Sequence, residues 1–185
     1  DRVFLEIKKK IGGIVTKRRV SMTLAESDAY LADRTKPECH KYITEQVFRE
    51  LDAFLDHYPI APKQYISYQR EAFFGKYDND FRLTFDRKIT ERRYDLGLNY
   101  ESYGNYIIGA DHRLMEIKVS NAIPDWLVAK LSELGIYKIS FSKYGRAYQN
   151  FVQSQTESAA QTETSHQIYV AGISLVNNHL MNRSV

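Results

Sequence analysis

The sequence predicts an α+β fold in which an antiparallel β-sheet has one apolar face and one charged face. Residues 81–89 alternate apolar and polar side chains, a period typical of a strand with one dry face. Hydrophobic residues make up 43% of the 185 positions, and fourteen tyrosines and nine phenylalanines favour β-structure. The single cysteine, Cys39, excludes an internal disulfide framework and a multi-cysteine metal site.

The first half of the chain predicts a hairpin followed by two helices. Residues 3–10 alternate, a Gly-Gly pair marks a turn, and residues 14–23 form the returning strand. A short helix capped at Ser21 or Thr23 comes next. A longer helix over residues 40–58 carries one apolar stripe: Ile43, Val47, Leu51, Phe54 and Leu55.

The second half predicts a second hairpin, a further strand and two helices. Residues 62–75 and 81–89 form the hairpin, and residues 112–120 form the next strand. Pro124 and Gly135 bracket a helix. Residues 136–142 form a short strand or an extended lead-in to a final helix over residues 142–153. Trp126 and Tyr137 are expected in the core.

Composition bounds the domains and the function classes. Residues 1–153 read as one domain. Residues 154–185 read as a polar linker and an unassigned tail, for which a docking strand and an untidy C-terminus both stay open. The net charge of +3 is too small to indicate nucleic acid. The sequence contains no run of about 18 apolar residues, the pattern that would predict a transmembrane segment. We expect a cytoplasmic protein. The chain begins at Asp1 rather than at a methionine, so we expect upstream sequence.

Several predicted strands carry charges on one face. The sets that share a face are Glu6, Lys8 and Lys10; Tyr68 and Arg70; Arg82, Thr84, Asp86 and Lys88; and Glu116 and Lys118. Opposite the third set lie Phe81, Leu83, Phe85 and Ile89, which helices are expected to cover. On the second strand the parity stays open between Lys17 with Arg19 and Thr16 with Arg18.

Two interpretations of these faces are open. The charges could be solvated cross-strand pairs on the wet face of a sheet. If the sheet curls into a barrel, the bases point inward and repel one another unless an anion neutralises them. Polyphosphate suits both Arg forks and Lys point charges. The few carboxylates among the bases would then hold a divalent metal that bridges phosphates.

An ordered set of segments resembles a known family. The segments are FLEIKKK…GGIVTKRRV, PKQYISYQREAFFG, DFRLTFDRKI, RLMEIKV, IPDWL and YKISFSKYGRAY. Together they resemble the VTC domain, the polyphosphate polymerase domain of the vacuolar transporter chaperone complex and its bacterial relatives, over residues 3–151. The resemblance implies the fold of the triphosphate tunnel metalloenzymes, an antiparallel β-tunnel (barrel) with a basic interior, flanked by helices.

The resemblance also implies an activity and a set of site residues. The activity is transfer of the ATP γ-phosphate to a growing polyphosphate chain, with Mn²⁺ or Mg²⁺ as cofactor. The implied phosphate-binding residues are Lys8, Lys17, Arg19, Tyr68, Arg70, Arg82, Ser142 and Lys143, which resolves the open parity. Arg70, Arg82 and Lys143 are implied to be catalytic, Glu116 binds the metal, and Glu6 is a second metal candidate.

One departure and two alternatives accompany this resemblance. The family has an earlier strand with an Arg-x-Arg motif, which Asp1 and Arg2 cannot supply, so the tunnel is expected to lack its first strand or strands. A tunnel triphosphatase would use the same basic wall to transfer phosphate to water. A non-catalytic module would bind polyphosphate or inositol phosphate without turnover. The expected partners are ATP or triphosphate and polyphosphate, and the oligomeric state stays open.

Overall fold

A computed structural model describes residues 2–12, 14–38, 41–78, 80–159 and 173–177. The described strands, in chain order, are β1 (Arg2–Ile11), β2 (Ile14–Thr23), β3 (Tyr65–Phe74), β4 (Arg82–Arg92), β5 (Asn105–Tyr106), β6 (Arg113–Lys118) and β7 (Ile173–Asn177). The described helices are α1 (Leu24–Asp33), α2 (Tyr42–His57), α3 (Asp125–Glu133) and α4 (Lys143–Ala159). Cys39 and much of the predicted tail lie outside the described residues. The chain divides into two compact units, described in turn below.

The first unit is built on a three-stranded antiparallel sheet in the order β2–β1–β7. The predicted alternation of β1 is confirmed, because Val3, Leu5 and Ile7 are almost fully buried. Val20 and Met22 of β2 are buried with them in one apolar cluster. The C-terminal segment, whose role the sequence left open, thus contributes β7 as a strand on the free edge of β1.

Helices α1 and α2 cover the apolar face of this sheet. Helix α1 begins with a capping box: Thr23 Oγ1 accepts the Glu26 N–H at 3.2 Å, and the Glu26 carboxylate accepts the Thr23 N–H at 2.7 Å. Helix α2 buries Val47, Phe48 and Leu51 against the sheet cluster. The predicted stripe was wrong at its start, because Ile43 is 73% exposed. The buried face begins one turn later and includes Phe48, which the prediction omitted.

The second unit is built on β4. Strand β3 pairs with one edge of β4, and β6 and the short β5 pair with the other, all antiparallel. The predicted hairpin of two long strands is therefore confirmed, and so is the strand over residues 112–120. Strand β5 was not predicted, since two residues are too few to show a period.

A β-bulge interrupts the alternation of β4. Ser67 pairs with Thr90 and Gln69 pairs with Arg87, so Lys88 and Ile89 together oppose the single residue Tyr68. Lys88 has φ +49°, which carries the strand through the extra residue. Because the bulge shifts the parity by one, Ile89 lies on the face of Asp86. The prediction that placed Ile89 with Phe81, Leu83 and Phe85 was wrong for this reason.

Helix α4 packs on the face of Asp86 rather than on the face of Phe85. Ala147 of α4 forms a buried cluster with Ile89 and Ile107, and Leu114 and Ile66 pack against it. On the opposite face, Leu83 and Phe85 are only half-buried. The expectation that helices cover the Phe81, Leu83 and Phe85 face is met only where Phe81 contacts Trp126 of α3, edge to face.

The segments around α3 and α4 differ from the sequence prediction in two places. Trp126 is 61% exposed and Tyr137 is 80% exposed, so neither is a core residue. Of the two alternatives left open for residues 136–142, the strand is absent and the lead-in to α4 is observed. Helix α4 continues six residues past its predicted end at Gln153.

The strands of the described residues form two antiparallel sheets, and among them there is no ladder that closes a barrel. The antiparallel α+β class is thus confirmed, whereas a tunnel is not. No helix in the described ranges has both the length and the apolar character needed to cross a membrane.

Candidate functional site

One face of the second unit gathers most of the predicted site residues. The ladders pair Arg70 with Asp86, Thr84 with Glu116, and Arg82 with Lys118. Side chains directly opposite each other in a ladder point to the same face. Tyr68 joins this face, which is called the site face below. Arg82 and Glu116, each predicted on the charged face of its own strand, therefore lie on one shared face.

A buried carboxylate is at the centre of the site face. Asp86 is 1% exposed and accepts two hydrogen bonds from Arg70, Nε to Oδ1 at 2.6 Å and Nη2 to Oδ2 at 2.7 Å. The ammonium of Lys143 lies 2.6 Å from the same Oδ2. The ring of Tyr68 lies beneath both cations, 5.0 Å from the Arg70 guanidinium carbon and 4.5 Å from Lys143 Nζ.

This geometry keeps Asp86 ionised. Burial alone would raise the pKa of its carboxyl, but the hydrogen bonds from Arg70 and Lys143 outweigh burial and hold that pKa below its ordinary value. The same contact with Asp86 raises the pKa of Arg70. A fixed negative charge therefore holds two cations in place on the site face.

Helix α4 delivers Lys143 to this carboxylate. Ser142 caps the helix, since its Oγ accepts the N–H of Gly145 at 3.2 Å, and Lys143 is the first helical residue. A lysine in the first turn opposes the helix dipole at a cost of about 0.3–1 kcal/mol. The contact with Asp86 offsets that cost, and only 17% of the Lys143 side chain is exposed. Loss of this lysine is therefore expected to lower stability, because Asp86 would lose one of its two cationic partners.

Glu116 is the more accessible carboxylate of the site face. Its side chain is 43% exposed, and its contacts are long: 3.3 Å to Lys118 Nζ and 3.8 Å to Arg70 Nη2. Within the described residues there is no cluster of three or more metal-ligating side chains. Magnesium and similar ions bind through one or two carboxylates, with phosphates and waters completing the shell. Glu116 fits that role for a metal that arrives with phosphate.

Arg82 differs from the other bases of the face. In the described part of the chain, no carboxylate lies within salt-bridge distance of its guanidinium, which is 6.0 Å from the Phe74 ring. Its ladder partner is Lys118, so two like charges oppose each other directly. Counted together, Arg70, Arg82, Lys118 and Lys143 face two carboxylates, which leaves two positive charges in excess.

The first unit carries a second basic face, formed by β1 and β2. The ladder pairs Glu6 with Arg19 and Lys8 with Lys17. Both lysines contact the buried carboxylate of Glu6, Lys17 at 3.0 Å and Lys8 at 3.4 Å. Because both its oxygens are engaged and its side chain is only 3% exposed, Glu6 suits a metal less well than Glu116 does.

In β2, Lys17 and Arg19 lie on the face away from the helices, as the family resemblance implied. Arg18 points to the helix-covered face, where it reaches Glu50 of α2 at 2.8 Å. Arg19 lies on the other face, with its guanidinium carbon 4.5 Å from the centre of the Phe4 ring. Lys8, Lys17 and Arg19 are therefore together on one surface of the first unit.

Sequence reasoning missed two residues of the site face. Asp86 was noted only as one polar position among four, although its ladder partner Arg70 was already a candidate. Thr84 is 2% exposed, and its hydroxyl has no hydrogen-bond partner among the described residues. The alternation of β4 placed both on the charged face, but it gave no sign that they are buried.

Fold and site together define a class: an antiparallel α+β protein whose strands carry basic side chains, ordered by buried carboxylates, on one face. The model of the VTC domain family matches residues 1–152, and the chain belongs to that family. Comparisons with curated proteins and with solved structures give no match. Family membership indicates a function related to polyphosphate.

Proposed function

We propose that this chain is a metal-dependent phosphotransferase that transfers the γ-phosphate of ATP to a growing polyphosphate chain. The observation that carries the proposal is the opposition of Arg82 and Lys118 on the site face, where Arg82 has no carboxylate partner in the described structure. Two like charges directly opposite in a ladder are unfavourable unless an anion lies between them. Polyphosphate is the anion that the family indicates.

Each base has a distinct part in phosphate binding. Arg82 offers its whole guanidinium fork, which matches two phosphate oxygens. Arg70 uses Nε and Nη2 on Asp86, so Nη1 is the nitrogen available for phosphate. Lys143 neutralises charge from the first turn of α4, where free backbone N–H groups also favour an anion.

Phosphoryl transfer depends on positioning and charge neutralisation, and it needs no protein nucleophile. The accepting group is a terminal phosphate oxygen that is already ionised at neutral pH, so no strong general base is required. A divalent ion, Mn²⁺ or Mg²⁺, held by Glu116 would supply Lewis-acid neutralisation of phosphate oxygens. The chain's own contribution is to hold donor and acceptor phosphates in line against Arg70, Arg82 and Lys143.

The proposal also includes three finer expectations. These are the antiparallel tunnel, a phosphate-binding role for the basic face of the first unit, and a cytoplasmic location, where ATP is available. The strands seen here are compatible with such a tunnel because they are antiparallel and carry bases on one face.

The test is to incubate the purified protein with ATP and Mn²⁺ and to separate polymeric phosphate from free phosphate. The proposal is supported if the wild type forms polymer and the Arg82→Ala variant does not. Free phosphate without polymer would favour a tunnel triphosphatase. Triphosphate binding with neither product would favour a binding module. An Arg87→Ala variant is the control, because Arg87 lies on the opposite face of the same strand.

A further inference from the structure

The hydroxyl of Thr84 is buried on the site face without a partner. The residue is 2% exposed, and Oγ1 makes no hydrogen bond within the described structure. A buried polar group left unpaired costs about 1–3 kcal/mol. A valine would fill the same volume, suit a strand equally well and avoid this cost. The presence of a threonine here therefore indicates that its hydroxyl gains a hydrogen-bond partner when the neighbouring side chains are arranged differently.

The neighbours of Thr84 limit which group this partner can be. On the β3 side its ladder partner is Ala72, whose methyl group cannot hydrogen-bond. On the β6 side its partner is Glu116, and directly opposite side chains have Cβ atoms about 4.5–5.5 Å apart. Because Oγ1 is buried, a neighbouring side chain reaches it more readily than a ligand from solvent does. Glu116 is the ladder partner with a suitable acceptor.

The present contacts of Glu116 are weak enough to be exchanged. Its oxygens lie 3.3 Å from Lys118 and 3.8 Å from Arg70, both longer than a good charge-assisted hydrogen bond of about 2.7–2.9 Å. Rotation of the Glu116 side chain toward β4 would bring one oxygen to Thr84. The other oxygen would then be fixed in direction and open to a cation.

We propose that Thr84 is a positioning residue for Glu116, donating a hydrogen bond to one carboxylate oxygen when a divalent cation and phosphate occupy the site face. This inference rests on the proposed metal role of Glu116 and adds the residue that orients it. Groups that orient a metal ligand in this way typically change metal affinity by about 10–100-fold when removed.

The experiment compares tripolyphosphate binding with and without metal, by calorimetric titration in EDTA and then in Mn²⁺. The ratio of the two dissociation constants is the gain in affinity that the metal supplies. Thr84→Val should reduce this gain roughly tenfold while binding in EDTA stays as in the wild type. Thr84→Ser, which keeps the hydroxyl, should retain most of the gain.

Thr90→Val is the matched control on the same strand. The Thr90 hydroxyl is already paired with Ser67, at 2.7 Å, on the opposite face, so the metal-dependent gain should not change. The inference would be overturned if Mn²⁺ increased the tripolyphosphate affinity of Thr84→Val as much as that of the wild type. It would also be overturned if Mn²⁺ did not increase the affinity of the wild type. The binding titration measures no turnover. Absence of polymer synthesis in the ATP assay would therefore contradict the proposed phosphotransferase activity but not this inference.

Discussion

Replacing Asp86 by asparagine removes the central charge of the site face while preserving side-chain size. In the wild type three nitrogen–oxygen contacts of 2.6–2.7 Å surround a carboxylate that is 1% exposed. Asparagine cannot neutralise Arg70 and Lys143, and its own N–H₂ group points donors at cations. We therefore expect a clear loss of stability in Asp86→Asn, because two partly buried positive charges lose their counter-ion.

The magnitude follows from the burial of the three groups. Breaking a buried ion pair by removing one partner costs about 3–5 kcal/mol. Arg70 and Lys143 retain 23% and 17% exposure and can regain some hydration, which favours the lower end. A loss of about 3 kcal/mol corresponds to a Tm lowered by roughly 6–12 °C in a chain of this size. Denaturant and thermal unfolding at pH 7 measure both quantities.

The pH dependence gives a second readout. The pKa of Asp86 is lowered in the folded protein, so its stabilisation is fully present above the unfolded pKa and is lost as pH falls through the folded one. The stability of the wild type should therefore begin to fall toward that of Asp86→Asn at about pH 4, the ordinary aspartate pKa, and the two should coincide only below the lowered pKa of the folded protein. At neutral pH the difference between the two should be constant.

Glu71→Gln is the control for this prediction. Glu71 also forms an ion pair with an arginine, Arg87, but this pair lies on the opposite face and its contact is 3.6 Å long. The Glu71 side chain is 57% exposed. Such a pair contributes about 0–1 kcal/mol. Equal, small losses in Asp86→Asn and Glu71→Gln would refute the view that Asp86 orders the site face.

Three further variants test the site and the fold. Glu116→Gln should abolish turnover while triphosphate binding in EDTA persists, because the bases hold the phosphates; wild-type rates at ordinary metal concentration would contradict this. Arg82→Ala should weaken triphosphate binding at least tenfold, about 1.4 kcal/mol, without lowering Tm, since no carboxylate in the described residues depends on it. Gly104→Ala should cost roughly 2–4 kcal/mol of unfolding free energy, because φ is +145° and a Cβ would lie 2.2 Å from the Glu91 carbonyl oxygen. Gly12→Ala, with φ +56° and open space around it, is the control and should cost about 1–2 kcal/mol.

Local patterns were enough to predict both hairpins, the helix starts and the charged face of each strand. Each of these depends on residues close in sequence, as in the capping box of Thr23 and Glu26. The bulge at Lys88 was not predictable, because it exists only relative to the partner strand. Because the bulge was not predicted, Ile89 was assigned to the wrong face of β4.

The role of Asp86 was hidden for a related reason. Alternation places a side chain on a face, but it does not say what covers that face. Asp86 is buried because Arg70 arrives from β3 and Lys143 from α4, 57 residues further along the chain. Trp126 shows the reverse error, since a large apolar side chain was assumed to be buried and is mostly exposed.

The extra residue in β4 makes the packing of helix α4 depend on the backbone conformation of a single position, Lys88. On one side of the bulge the strand supplies Thr84 and Asp86 to the site face, and beyond it the same face receives Ile89, which packs against Ala147 of α4. If Lys88 took up a regular strand conformation, strict alternation would turn Ile89 to the opposite face, and helix α4 would lose its apolar anchor while Lys143 still contacted Asp86. Deleting Lys88 would instead leave Ile89 opposite Tyr68, on the face of Asp86. Deletion of this residue should thus be tolerated better than a β-branched residue at position 88, which disfavours the φ of +49° on which the bulge depends.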